Sequence, residues 1–198
     1  GKGKMFFNQG GVLDKIVGGW ELTGLFQFGT GSPISFVDSR GTLNRGAYSG
    51  RQTANSSLSN QQIQDLVGIF EANGRIYFIN PSIINTTGRA AEGYINPSNS
   101  NALFNGQVFF NVHEGQTGNL ARTIINGPST YNINSALLKN IRFGETIKVQ
   151  LRAEAFNLLN NVRFFNNTQF ANINSTTFGQ ITSAGASRTM QFAFRFEF

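Results

Sequence analysis

The sequence predicts an all-β protein, specifically part of an antiparallel transmembrane β-barrel with about four long strands, long loops and one short helix. Only 13% of the residues are charged, against about 25% in soluble domains, while 20 Phe and 23 Gly favour strands and turns. Several segments alternate apolar and polar residues over about 10 positions, the length of a tilted bilayer crossing. Long connections rich in Asn and Gly separate most of these segments.

The C-terminal segment shows the sharpest alternation of the chain. Its apolar positions are Met190, Phe192, Phe194, Phe196 and Phe198, and the residues between them are mostly polar. Because successive side chains of a strand point to opposite faces, these five share one face. We expect a final strand that ends at Phe198 and whose apolar face contacts lipid.

The segment from Ile147 to Phe156 is the most polarised of the expected strands. Its polar positions are Lys148, Gln150, Arg152 and Glu154. We expect these four side chains to face the lumen of a barrel. There they could help to select or pass a substrate, or they could pair with charges on neighbouring strands or on a plug. The pairing interpretation is favoured, because charges inside membrane proteins usually pair.

Two further strands are expected, from Trp20 to Thr30 and from Tyr131 to Phe143. Gly144 to Thr146 would form a tight hairpin after the second of them. Trp20 and Phe143 then fall at the end of the sheet that carries this hairpin. Aromatic residues gather where a barrel meets the membrane surface, so these two residues are candidate interface aromatics.

The connections between the strands are unequal in length. Two long segments, Ser32 to Ser129 and Leu159 to Ser187, contrast with the short hairpin. Outer-membrane barrels have short turns on the periplasmic side and long loops outside. We therefore assign residues 1–198 to the C-terminal part of one barrel domain, with residues 36–128 as a long extracellular loop region.

The long loop has local signals of its own. Ser59 and Gln62 form a capping box, and apolar residues at helical spacing follow them. This pattern predicts a helix from about Asn60 to Ala72, which Asn73-Gly74 would end. A short strand from Arg75 to Ile79 should come next.

No catalytic or metal-binding constellation stands out in the sequence. There is no Cys, and His113 is the only His, so a metal site built on these ligands is not expected. The net charge of +6 is spread along the chain rather than gathered in a basic stripe, which argues against nucleic-acid binding. The sequence therefore predicts a protein that is not an enzyme and has no cofactor, metal or nucleic-acid partner.

Several stretches of the chain resemble one family of outer-membrane proteins. The most specific stretch is LRAEAFNLLN at residues 151–160. The others are GKGK at 1–4, GGWELTG at 18–24, TGSP at 30–33, NGP at 126–128, LKN at 138–140 and FGQITSA at 178–184. Together they resemble the C-terminal barrel of an Oar-like TonB-dependent receptor, the type with a carboxypeptidase-regulatory-like N-terminal domain. Asn134 stands where this family usually has Asp.

This resemblance implies a barrel of about 22 strands around a plug, in the outer membrane of a Gram-negative-type bacterium. It implies TonB-driven uptake of a scarce nutrient, with the terminal aromatic strand as the signal for the barrel-assembly machinery. The expected partners are outer-membrane lipid, that machinery, TonB through an N-terminal region, and a nutrient held by the loops at 36–128 and 162–182. Four strands cannot close a barrel, since about eight is the minimum, so we expect the chain to be part of a longer protein.

Two other functions fit the strand pattern alone. One is an extracellular β-rich binding or adhesion module, whose strands would be of sandwich length with no need for a terminal Phe. The other is a self-assembling structural β protein, in which long aromatic edge strands pair between chains.

Overall fold

The computed structural model describes residues 11–42, 52–92, 102–165 and 170–198, apart from the side chains of residues 13, 14 and 165. The chain divides into two compact units. The first, which we call the sheet unit, comprises Gly1–Gly29, Thr130–Arg163 and Ala186–Phe198. The second, which we call the loop unit, comprises Thr30–Ser129 and Phe164–Gly185.

Most of the regular structure is antiparallel β. The sheet unit contains helix α1 (Val12–Val17) and strands β1 (Trp20–Gly29), β10 (Thr130–Phe143), β11 (Ile147–Phe156) and β15 (Thr189–Glu197). The described part of the loop unit contains helix α2 (Asn60–Gln64), a 3-10 turn (Pro81–Ile83) and eleven strands, of which β6 (Val67–Ala72) and β7 (Arg75–Ile79) are the longest. The others are β2 (Pro33–Ile34), β3 (Val37–Asp38), β4 (Gln52–Thr53), β5 (Asn55–Ser56), β8 (Phe109–Phe110), β9 (Ile125–Asn126), β12 (Phe164–Phe165), β13 (Gln180–Ile181) and β14 (Ser183–Ala184). Among the described residues, no helix has both the length and the apolar character needed to cross a membrane.

The four long strands form one antiparallel sheet in the order β1-β10-β11-β15. Residues 144–146 link β10 to β11 as a three-residue hairpin, as the sequence predicts. The all-β fold class and the positions of all four strands are therefore confirmed. The last strand stops at Glu197, one residue earlier than predicted, and Lys148 opposite Glu197 is its last pair.

The loop unit has a hydrophobic core of its own. Phe36, Phe109 and Phe178 lie at its centre, with ring centroids 4.8 to 5.8 Å apart. Each of these rings is at most 1% exposed. Short strand pairs surround the core, and the largest sheet has the order β13-β7-β6. The long connection is thus a packed structure rather than an open loop.

One helix prediction is wrong in length. The capping box of Ser59 and Gln62 is present, but α2 covers only Asn60–Gln64, and the rest of the expected helix is β6. Asn73 and Gly74 both have positive φ, 51° and 68°, and they join β6 to β7 as a two-residue hairpin. That geometry is typical of an Asn-Gly hairpin turn, so the dipeptide pairs two strands instead of ending a helix. The strand from Arg75 to Ile79 is confirmed.

Candidate functional site: a two-faced sheet and a loop cavity

One face of the sheet is apolar and exposed. Met190, Phe192, Phe194 and Phe196 of β15 lie opposite Ala155, Ala153, Leu151 and Val149 of β11. The four β15 side chains are exposed, and Phe192 keeps 75% of its surface. Phe198 lies beyond the strand and is exposed, with its ring 5.9 Å from that of Phe196. An apolar patch of this extent marks a surface that contacts something other than water.

The other face of the sheet is polar and hydrogen-bonded across strands. It carries all four residues that the sequence assigns to a lumen wall, namely Lys148, Gln150, Arg152 and Glu154. Arg152 forms an ion pair with Glu154, and Gln191 of β15 donates to the same carboxylate. Gln150 donates to Asn140 of β10 at 2.8 Å. Arg152 and Glu154 thus pair along β11 itself, and the hydrogen bonds between strands come from the uncharged side chains of Gln150 and Gln191.

Positive charge collects at the hairpin end of this polar face. Arg142 lies directly opposite Lys148, and Arg195 borders the same recess of about 180 Å³. Among the described residues that line the recess, Glu197 is the one carboxylate, and it already pairs with Arg195 at 2.7 Å. Like charges directly opposite each other repel. The recess is therefore suited to an acidic group, either on a solute or on another polypeptide segment.

The two candidate interface aromatics lie on the apolar face at one end of the sheet. Trp20 starts β1 opposite Lys139, and Phe143 ends β10 beside the hairpin. Both rings are exposed. The indole Nε1 of Trp20 donates to the carbonyl of Ile16 at 3.1 Å. This is the amphipathic arrangement that Trp adopts at a membrane surface.

Lys139 is a residue that we did not assign from the sequence. It occupies an alternate position between Leu137 and Ile141, so the period of two already places it on the apolar face. The side chain is nevertheless only 5% exposed. Backbone carbonyls and an aromatic ring surround its ammonium group.

A cluster of asparagine side chains lies at the end of β11, in and around the stretch of residues 151–160. Asn157, at φ 54°, exchanges hydrogen bonds with the backbone of Asn161 and donates to the carbonyl of Ala186. Its own backbone N–H donates to Oδ1 of Asn134 at 3.0 Å. An Asp at position 134 would offer the same acceptor oxygen. Asn134 therefore keeps this contact of β10 with the end of β11.

A buried carboxylate organises part of the loop unit. Asp38 is fully buried and pairs with Arg40 at 3.1 Å. It also accepts hydrogen bonds from the Val112 N–H at 2.8 Å and from the Asn174 side chain at 3.0 Å. Burial by itself raises the pKa of Asp38, but the hydrogen bonds from Arg40 and Val112 and the charge of Arg40 outweigh it, so the pKa lies below its usual value.

The loop unit also contains a polar cavity of about 680 Å³. Its walls include Arg75 and Tyr77 of β7, Thr87 of the loop after the 3-10 turn, and Thr176. Gly88 allows the segments that carry Thr87 and Thr176 to approach each other closely. A Cβ at position 88 would lie only 2.1 Å from the Thr176 carbonyl oxygen. Hydroxyl groups, a phenol ring and one guanidinium group suit a polar solute that carries an acidic group.

The described residues contain no cluster of His, Cys, Asp and Glu that could hold a metal ion. His113 lies in an irregular segment, and its backbone carbonyl accepts the Gln116 N–H at 3.1 Å.

Comparison with known proteins agrees with this two-faced sheet. A family model described as outer membrane beta barrel domain matches residues 1–191. A search of curated proteins and a search of solved structures gave no significant match. The match spans most of the chain, and long antiparallel strands with one apolar and one polar face are the structure that such a domain requires. The chain therefore belongs to the outer membrane beta barrel domain family, and its place is the outer membrane.

Proposed function

We propose that this chain is part of a TonB-dependent receptor that takes up a scarce nutrient across the outer membrane and catalyses no reaction. The observation that carries the proposal is the sheet, whose apolar face is exposed while its polar face forms a hydrogen-bonded layer. The residues 151–160 stretch, which closely resembles the receptor family, lies in this sheet and ends in the Asn157 cluster.

In this proposal the two faces have different partners. The apolar side chains from Met190 to Phe198 contact outer-membrane lipid, and Trp20 and Phe143 lie at the membrane surface. Lys148, Gln150, Arg152 and Glu154 line the interior. The positive recess beside Lys148 contacts acidic groups of a plug or of a passing solute. TonB acts through a plug region and supplies the energy of transport.

The nutrient binds to the loop unit, which lies outside the cell. The cavity beside Arg75 and Tyr77 offers a site for it in the described part of this unit. Its lining favours a hydroxylated or amide-containing solute with an acidic group, which the Arg75 guanidinium would bind. The side chain of Arg75 has no ion-pair partner among the described residues, so it is available for such a ligand.

Uptake by cells tests the proposal. A strain that lacks the protein is compared with wild type, with an Arg75→Gln variant and with a strain that lacks TonB, in medium holding ferric siderophores, oligosaccharides, peptides and cobalamin. We expect the deletion strain and the TonB-deficient strain to stop depleting the same compound, and the variant to deplete it more slowly. Unchanged depletion of every compound in the deletion strain would refute the transport role. Loss of surface attachment with normal depletion would favour an adhesion module.

The terminal aromatic residue offers a test of the assembly partner. If the barrel-assembly machinery reads the last strand, deletion of Phe198 should reduce the amount of folded protein in the outer membrane. The control is Leu159→Ala, which removes an exposed apolar side chain that lies outside the strands. Equal amounts of folded protein after both changes would contradict the role of Phe198.

A further inference from the structure

Lys139 places a positive charge on the apolar face of the sheet. Its Nζ donates to the carbonyl oxygens of Ile16, at 2.8 Å, and Gly18. The same ammonium group lies 4.9 Å from the centre of the Trp20 ring. Ile16 belongs to α1 and Gly18 follows it, so carbonyl groups at the C-terminal end of this helix stabilise the charge.

The backbone before β1 holds α1 over this part of the sheet. Gly19 has a φ of 71°, and its carbonyl accepts the Asn140 N–H at 2.8 Å. A Cβ at Gly19 would lie 2.1 Å from the Asn140 carbonyl oxygen, so only glycine permits this approach. Lys15 of the helix lies 4.9 Å from the ring centre of Phe143. The helix therefore packs beside residues of the apolar face.

The carbonyl groups of Ile16 and Gly18 at the end of α1 have hydrogen-bond donors within the protein, as a medium with few hydrogen bonds requires. Helix C-termini leave carbonyl groups without a partner, and such groups are costly in lipid. Here the Ile16 carbonyl accepts from both Lys139 and Trp20, and the Gly18 carbonyl accepts from Lys139. A helix end in water would need none of these donors.

Two apolar side chains of the helix are exposed. Val12 and Ile16 are four residues apart and so lie on one side of α1. They are 74% and 62% exposed. Trp20 and Phe143, which contact the Ile16 carbonyl and Lys15 of the helix, are exposed as well. A side of this kind at the edge of an apolar membrane surface is typical of an interfacial helix.

We propose that α1 is an interfacial anchor whose Val12 and Ile16 side chains insert into the phospholipid at the boundary between head groups and acyl chains. Lys139 is the positioning residue, because it satisfies the carbonyl groups at the helix end and holds the helix on the sheet. The proposal rests on the proposed contact of the apolar face with lipid. It adds a lipid-binding segment that crosses no membrane and lies outside the four long strands.

Spin labels measure this insertion directly. Single nitroxide labels are attached through V12C, I16C, F194C and T23C in the complete protein, reconstituted in phospholipid bilayers. Oxygen concentrates in lipid and a nickel chelate in water, so their relaxation effects report depth. We expect the label at 194 to see oxygen and little nickel, and the label at 23 to see nickel. The labels at 12 and 16 should see more oxygen than nickel, at a shallower depth than 194.

The outcomes separate the anchor from the function on which it rests. Nickel access at 12 and 16 equal to that at 23, with 194 still in lipid, would overturn the anchor and leave the proposed function standing. Labels at 12 and 16 that are shielded from both reagents would show a protein partner instead of lipid and would also overturn it. Nickel access at 194 would overturn both proposals.

Substitution of Lys139 tests its positioning role. In the I16C background, K139M should raise label mobility and nickel access several-fold, while K139R should largely retain the wild-type values because it keeps donors and charge. K148M, on the polar face, is the control for loss of a lysine from the sheet and should change neither readout. An I16C label that is unaffected by K139M would show that Lys139 does not hold the helix.

Discussion

At the scale of single residues, two buried ionic side chains are each surrounded by several hydrogen-bond partners. Lys139 binds the carbonyls at the end of α1, and Asp38 binds the Val112 N–H together with the Arg40 side chain. A buried charge is tolerated when hydrogen bonds surround it. The two residues differ in how visible they are in the sequence. Alternation places Lys139 on the apolar face, whereas the partners of Asp38 at Val112 and Asn174 are too distant in the chain for any local pattern to show.

Removal of the Asp38 charge should destabilise the loop unit. Asp38→Asn keeps the shape but turns an amide N–H₂ toward donors and removes the charge that pairs with Arg40, which typically costs about 3–5 kcal/mol. The free energy of local opening can be measured by hydrogen exchange of peptides from this unit. Glu71→Gln, which neutralises an exposed carboxylate, is the control and should change it little. Equal protection in both variants would contradict the role of Asp38.

The lowered pKa of Asp38 also predicts a pH dependence. The folded state stabilises the ionised form of Asp38 more than the unfolded state does. The contribution of Asp38 to the free energy of unfolding is therefore complete above the ordinary Asp pKa of about 4. It should be lost as the pH falls from about 4 through the lower pKa of the folded protein. Exchange protection of the loop unit in wild type should therefore decline over this range. Asp38→Asn should lack this component, and a decline of the same size in the variant would assign it to other groups.

At the scale of elements, the sequence is informative where a pattern is long. Strands β10 and β11 repeat an alternation over ten or more residues, and the structure has β11 with the predicted bounds. The segment from Ile63 to Phe70 is ambiguous, because its apolar spacing also fits a helix. The Asn73-Gly74 hairpin decides the outcome, since it pairs β6 with β7. The two-residue strands of the loop unit could not be predicted, because partners such as β5 and β8 lie more than 50 residues apart.

The loop that carries Thr87 depends on Gly88. A Cβ there would meet the Thr176 carbonyl at 2.1 Å, and φ is 86°. Gly88→Ala should therefore lower the free energy of unfolding in two ways. The new methyl group displaces a wall of the cavity, which typically costs about 1–3 kcal/mol, and alanine is also strained at this left-handed φ. Gly74→Ala is the matched control, because its φ is 68° with open space around it, and strain alone should cost about 1–2 kcal/mol. Denaturant unfolding of the loop unit measures the loss of stability in each variant. Equal losses for Gly88→Ala and Gly74→Ala would contradict the close approach at Gly88.

At the scale of the whole molecule, two compact units have different surfaces. The sheet unit exposes many large apolar side chains, whereas the loop unit buries Phe36, Phe109, Phe170 and Phe178 in a core. Only the first arrangement requires an apolar environment. The family match places the chain in the outer membrane, which supplies that environment. The sequence predicts the sheet and its two faces, but the core and cavity of the loop unit depend on long-range contacts.

The alternation of the two faces along β15 is the central claim, and thiol labelling tests it most directly. Single cysteines are placed at Gln191, Ala193 and Arg195 and at Phe192, Phe194 and Phe196 of the complete protein in outer membranes. A small charged maleimide then reports contact with water, because only a thiolate in water reacts. We predict labelling at the first three positions and little at the other three. Equal labelling at all six positions, or labelling of the Phe positions alone, would contradict a sheet with one face on lipid.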